Sequence, residues 1–148
     1  YESEFTNLNP KAGCLADFVV FYQLALLPGL LSREIESSML DYVLVHPRGI
    51  VYIYESRLDI LPEQFASRKA NRYIAAMELL SDYSLAPEKL GFAVDWLNSQ
   101  QDKNGLWDMK SVVKDGIHFP LSDSWRNVED RKRDCTSRVS RLLDKLEV

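Results

Sequence analysis

"WLNSQQDKNGLWD", residues 96–108, is the stretch whose reading decides the fold. It starts as an apolar, helix-compatible segment and passes through Gln100 and Gln101. A polar turn around Gly105 follows, and then an isolated tryptophan, Trp107. Turns that face water are built from Gly, Asn, Asp and Ser. A large aromatic two residues after the glycine therefore needs a partner, and the search for that partner organises the rest of the chain.

Upstream, residues 87–101 have helical periodicity. Pro87 stands at the first turn with Glu88 behind it, Leu90, Val94 and Leu97 form one stripe, and Phe92 and Trp96 form another. Before that, the pattern predicts a helix from Pro62, with Ala66, Ala70, Tyr73, Met77 and Leu80 on one face. Ser32 is a good N-cap for a helix running to about Val45, with an Ile35, Met39, Tyr42, Val43 stripe that Pro47 stops. Residues 12–27 are apolar nearly all round, the pattern of an enclosed helix, and Pro28-Gly29 ends them. Downstream, Asn127 can cap a last helix with Asp130 three residues on, and Cys135, Val139, Leu142 and Leu146 form its buried stripe. This makes five helices and two long connections, 46–60 and 102–125. "IVYIY" at 50–54 has β-type composition and is expected to pair briefly.

Composition fits this reading. The chain has 148 residues, 46% hydrophobic and 27% charged, enough for one domain with a sizeable core. A net charge of −4 speaks against broad nucleic-acid binding. Leu15 to Leu31 is the most apolar run, but Asp17, Gln23, Pro28 and Gly29 interrupt it, so no membrane span is expected. Cys14 and Cys135 are far apart and neither belongs to a CxxC pair, which makes a reducing, cytoplasmic compartment the expectation. The first residue is Tyr1 and not Met, which suggests a fragment of a larger protein.

An internal repeat is also legible. "LDYV" at 40–43 matches "VDWL" at 94–97, Gly49 matches Gly105, "LP" at 61–62 matches "FP" at 119–120, and "LL" at 79–80 matches "LL" at 142–143. The offset grows through the loops, as insertions would make it grow. Two units, about 32–83 and 87–147, imply an all-α fold of helical hairpin repeats.

Trp96, Leu97, Gln101, Gly105 and Trp107 stand in the order aromatic, aliphatic, three residues, Gln, three residues, Gly, one residue, Trp. That order resembles the QW repeat of terpenoid cyclases, such as squalene–hopene cyclase, and the related repeat of protein prenyltransferase β subunits. The likeness covers about a dozen residues. Ala93 lacks the preceding Lys or Arg of the motif, and the first unit keeps only Tyr42 and Val43, with Pro47 and Val51 near the Gln and Trp positions. The resemblance implies a partial α/α toroid, which further repeats or a second copy would complete. It also implies that Gln101 hydrogen-bonds toward the next helix under the Trp107 ring, satisfying a helix end and shielding it from water. An isoprenoid or other apolar small molecule is the partner it implies.

The family's catalytic signatures are missing: there is no DxDD and no DDxxD. His118, Asp134 and Cys135 form a conceivable zinc set, although adjacent residues on a helix point about 100° apart. Cys135 could also act as a nucleophile with His118 as base, beside Arg131 or Arg138. Its 135/139/142/146 spacing equally suits a core position. No cofactor is assigned. The remaining candidates are in the second connection and the helix after it. Trp107, His118, Asp123, Trp125, Arg126 and Arg138 combine aromatic walls with polar groups, as a small-ligand pocket requires; a loop folded on itself would use Ser122, Asp123 and Ser124 in turns. Three functions remain open: a binding or scaffold module with an aromatic pocket, an enzyme of prenyltransferase or cyclase type acting on an isoprenoid, or a purely structural interaction domain whose exposed apolar helix-one surface docks a partner.

Overall fold

The computed structural model describes residues 21–115, 117–119, 125 and 127–147. Among these it is helical: α1 (Phe21–Leu26), α2 (Arg33–Val45), α3 (Arg68–Leu80), α4 (Ala86–Lys89), α5 (Gly91–Ser99) and α6 (Val128–Leu146), with one 3₁₀ turn at Ser111–Val113. There is no sheet. "IVYIY" supplies a single antiparallel bridge between Ile50 and Tyr54.

Two helix starts follow the sequence signals. Ser32 caps α2, its hydroxyl taking the Ile35 N–H, and Asn127 caps α6 by accepting from the Glu129 N–H. Three expectations need correction. α3 begins at Arg68 and not at Pro62, because Ser67 is the stronger start: its hydroxyl accepts the Ala70 N–H at 3.0 Å. The helix expected over 87–101 is two pieces, a single turn from Ala86 and then α5 from Gly91; Leu90 leaves helical geometry between them. Along 21–26, Leu24 is buried while Tyr22 and Leu26 are exposed, so this part of the first helix is not enclosed on all sides.

α3 is the axis of the structure. Ala70, Asn71, Tyr73, Ile74, Ala75, Ala76, Met77 and Leu80 are all buried, which puts core around most of its circumference. It packs against α1, α6 and the 3₁₀ turn. Polar anchors set the other elements around it. The Tyr83 hydroxyl donates to Leu24 O at 2.5 Å, tying α1 down. Buried Glu36 of α2 accepts from Ser84 Oγ (2.6 Å) and from the Leu85 N–H (3.1 Å), which docks α2 on the turn into α4.

The first connection is held by aromatics. The Tyr73 hydroxyl donates to Leu58 O at 2.8 Å. Tyr54, Tyr73, Trp96 and Phe65 form a chain of edge-on rings with centroids 5.3–5.7 Å apart, joining this connection to α3 and α5. Gly49 and Gly105 turn the two connections in the same way: both are left-handed, with φ of 59° and 80°, and each donates its N–H to the carbonyl three residues back at 3.0 Å. No helix among the described residues is long and apolar enough to cross a membrane.

Candidate functional site

Trp107 has its partner. The ring is buried, and its Nε1–H donates to Leu97 O at 2.7 Å, in the last turn of α5. The indole itself thus serves the helix end. Gln101 donates from Nε2 to Gly105 O at 2.8 Å, within its own turn. The Trp107 backbone is fastened as well, its N–H donating to Thr136 Oγ1 of α6 at 2.9 Å. The polar turn carries a tryptophan because its indole closes the end of α5, while its backbone N–H fastens the turn to α6.

The rest of the second connection is held in the same way. Arg131 makes a bidentate pair with Asp108, both bonds 2.8 Å, and the Met109 N–H reaches Cys135 Sγ at 3.5 Å. Burial pushes Asp108 toward neutrality, but the bonds from Arg131 and Lys110 outweigh it and hold the carboxyl at about 2. Burial raises the Cys135 thiol to about 11, so it is protonated and poorly nucleophilic at neutral pH.

Asp115 organises the segment after the 3₁₀ turn. Its Oδ1 accepts three backbone N–H groups, from Ile117 (2.9 Å), His118 (2.8 Å) and Phe119 (3.1 Å). Its Oδ2 lies 3.0 Å from both His118 Nδ1 and Asn71 Nδ2. Partial burial acts to raise its pKa; the bonds from His118 and the three backbone groups prevail and hold it well below the usual carboxylate range.

Asn71 continues the network inward. Its Nδ2 also donates to Val113 O (3.1 Å), and its Oδ1 accepts from Arg138 Nη1 in a short contact. Arg138, buried on α6, donates through Nη2 to Glu78 Oε1 at 2.7 Å and lies 4.9 Å from the Phe119 ring centre. Phe119 packs on Trp125, whose Nε1–H donates to Asp134 Oδ2 at 2.7 Å.

The residues singled out in the sequence therefore have different environments. Trp107, Trp125 and Arg138 are interior, with their polar atoms already bonded. His118 is half-buried beside Asp115. Asp123 and Arg126 lie outside the described residues. His118, Asp134 and Cys135 do not converge: no cluster of three or more His, Cys, Asp or Glu side chains suited to a metal ion occurs among the described residues.

An open groove lies where the two connections meet over the first turns of α3. It has a volume of about 490 Å³. Tyr52 and Ile53 of the first connection, Lys114, Asp115, Ile117 and His118 of the second, and Arg68, Asn71 and Arg72 of α3 line it. Among the described residues, Arg72 and Lys114 form no ion pair, and Arg68 makes only a long bond from Nε to Val112 O, 3.4 Å. Basic side chains in the first turns of a helix oppose its dipole, at about 0.3–1 kcal/mol each. Tyr52 adopts a left-handed backbone (φ 76°) and stands 75% exposed; a bulky residue in that region is strained by about 1–3 kcal/mol. Ile117 is 83% exposed. The left-handed backbone of Tyr52 belongs to the tight turn that closes the Ile50–Tyr54 bridge, with Ile53 N–H donating to Ile50 O at 3.1 Å; its exposed ring, like the head groups of Arg72 and Lys114, makes no ion pair or ring contact among the described residues.

The groove was not read from sequence. Its charges come from α3, whose start was placed six residues early, and its rims come from two connections distant in the chain. The string Ser67-Arg68-Lys69, a cap followed by two cations, was the available signal. No family model, curated protein or solved structure matches the chain.

Proposed function

We propose that this chain is a helical binding or scaffold module, and that it recognises its ligand in the groove between the two long connections. One observation carries the reading. The indoles of Trp107 and Trp125 are sealed and hydrogen-bonded inside the core, whereas Tyr52, Ile117, Arg68, Arg72 and Lys114 line open volume; among the described residues Arg72 and Lys114 have no ion pair and Arg68 has only its long bond to Val112 O. An aromatic chamber for an isoprenoid or other apolar molecule would need rings facing a cavity. Here the rings face each other and the helix ends.

In finer detail, the fold is read as two helical hairpin repeats, units 32–83 and 87–147, forming an open arc of the α/α-toroid kind. The matching left-handed turns at Gly49 and Gly105, with their equal hydrogen bonds, support that correspondence. Further repeats or a second copy would then extend the arc.

The test is ligand-independent mapping. A fragment collection is screened by protein-observed NMR on the intact chain. Shifts clustered at Tyr52, Ile53, Arg68–Arg72 and Lys114–His118 support the groove. Shifts centred on the Trp107 and Trp125 indoles, with the groove silent, would return the site to the aromatic core.

A further inference from the structure

The groove does not end at its own walls. On the other side of Arg68 and Arg72 lies a second hollow, lined by Tyr54, Glu55, Ser56 and Lys69. Both arginines line both hollows, so they form a ridge between two depressions. They are four residues apart on α3, which places them on one face of the helix, one turn apart.

This shape, taken with its charge, selects a kind of partner. A compact anion would need converging donors in an enclosed pocket. Here the donors stand on a ridge, with exposed apolar side chains beyond them. The α3 amino end is itself closed by Ser67, which takes the Ala70 N–H, so recognition falls to side chains. Asp115, the carboxylate in the groove, is taken up by three backbone N–H groups, Asn71 and His118. The groove is thus cationic on a chain whose net charge is −4, and across both hollows Arg68, Lys69, Arg72 and Lys114 outnumber the one further carboxylate, Glu55 of the second hollow. Unpaired arginine beside exposed tyrosine is the composition of a protein-binding hot spot.

We infer that this surface docks an extended acidic peptide segment of a partner protein. Carboxylates of the segment sit over the Arg68–Arg72 ridge and reach Lys114, and an apolar side chain between them packs against Tyr52 and Ile117. Bidentate guanidinium–carboxylate pairing sets the register, and the two hollows receive alternate side chains. The turn that closes the Ile50–Tyr54 bridge presents the exposed Tyr52 ring to this contact. The inference rests on the groove assignment above and adds the partner's chemistry.

Fluorescence anisotropy on the intact chain tests it, with labelled short peptides alternating glutamate and leucine, glutamate and serine, or lysine and leucine. The glutamate–leucine peptide is expected to bind saturably, about tenfold tighter than the glutamate–serine one, and more weakly as salt rises. The lysine–leucine peptide should not bind. Arg72→Gln and Lys114→Gln, both at exposed positions, should each weaken binding by about tenfold with an unchanged circular dichroism spectrum. Tyr52→Gly separates recognition from folding: it relieves the backbone, so Tm should hold or rise while affinity falls. Equal binding of the glutamate and lysine peptides, or full affinity in Arg72→Gln, would overturn the proposal. So would Arg72-dependent binding of inorganic pyrophosphate without peptide binding, which would leave the groove assignment standing. If no peptide binds and fragments also miss the groove, both readings fail.

Discussion

Replacing Trp107 with phenylalanine separates two ways of closing the α5–α6 joint. The substitution keeps an aromatic ring in the buried site but deletes the Nε1–H that donates to Leu97 O at 2.7 Å. Leu97 O keeps a second donor, the Gln100 N–H at 3.1 Å, so the carbonyl is not stranded and the lost bond costs about 1 kcal/mol. The smaller ring leaves a void beside α5 and α6 that costs about 1 kcal/mol more. The sum, about 2 kcal/mol, should lower Tm by roughly 4–8 °C. Gln101→Ala is the control. Its amide is exposed and bonds only within its own turn, so the expected loss is about 0.5 kcal/mol. Urea unfolding followed by circular dichroism measures both. If Gln101→Ala costs as much as Trp107→Phe, the amide closes the joint as the QW resemblance implies, and the indole-capping account is wrong.

Gly49→Ala should be severely destabilising, by more than about 3 kcal/mol: besides the left-handed φ, its Cβ would run into the carbonyl oxygens of Tyr54 and Ser56. Gly105→Ala meets only the Gln101 amide at 3.5 Å and should cost about 1 kcal/mol, so equal losses in chemical denaturation would contradict the packing around the first connection. In acid, Asp108 has a folded pKa of about 2, below its ordinary 3.8; its stabilisation is complete above the unfolded value and is lost as pH falls from about 5 towards 2. Asp108→Asn should lower stability at pH 7 and flatten the acid limb, and an unchanged limb would show that the Arg131 pair does not form. Cys135, buried with a raised pKa, should resist iodoacetamide at pH 8 in the native protein and react on unfolding, as peptide mass mapping would report; prompt native alkylation would mean that α6 is not packed as described.

Much of the helical framework was legible because its signals are local. Ser32 and Asn127 are caps whose hydrogen bonds form within three residues, and the Cys135, Val139, Leu142, Leu146 stripe is one face of one helix. α3 starts after Ser67 and not at Pro62 because proline tolerates a first turn but does not require one, whereas a serine hydroxyl supplies an acceptor. The apolar character of the first helix was read as enclosure, yet Tyr22 and Leu26 are exposed, because hydrophobicity all round a segment does not say which neighbours cover it. The candidate site was legible only at His118. Asn71, Asp115, Glu78 and Arg138 come from three separate stretches, and no periodicity encodes their meeting. Trp107 and Trp125 were rightly singled out as unusual, but an aromatic in a polar segment has two uses, lining a pocket or sealing a helix. Burial and a hydrogen-bond partner, which sequence does not carry, separate the two.

The central claim is that the second connection belongs to the core, fastened to α5 by the Trp107 indole and to α6 by the Trp107 backbone and the Asp108–Arg131 pair, so that the groove remains as the open surface. Hydrogen exchange of the Trp107 indole N–H, read by NMR in the native chain, tests it most directly. Exchange as slow as that of the most protected α3 amides, with an opening free energy close to that of global unfolding, is the predicted result. Exchange as fast as that of the exposed Lys103 amide would mean that the connection lifts freely from the helices, and the account would be contradicted.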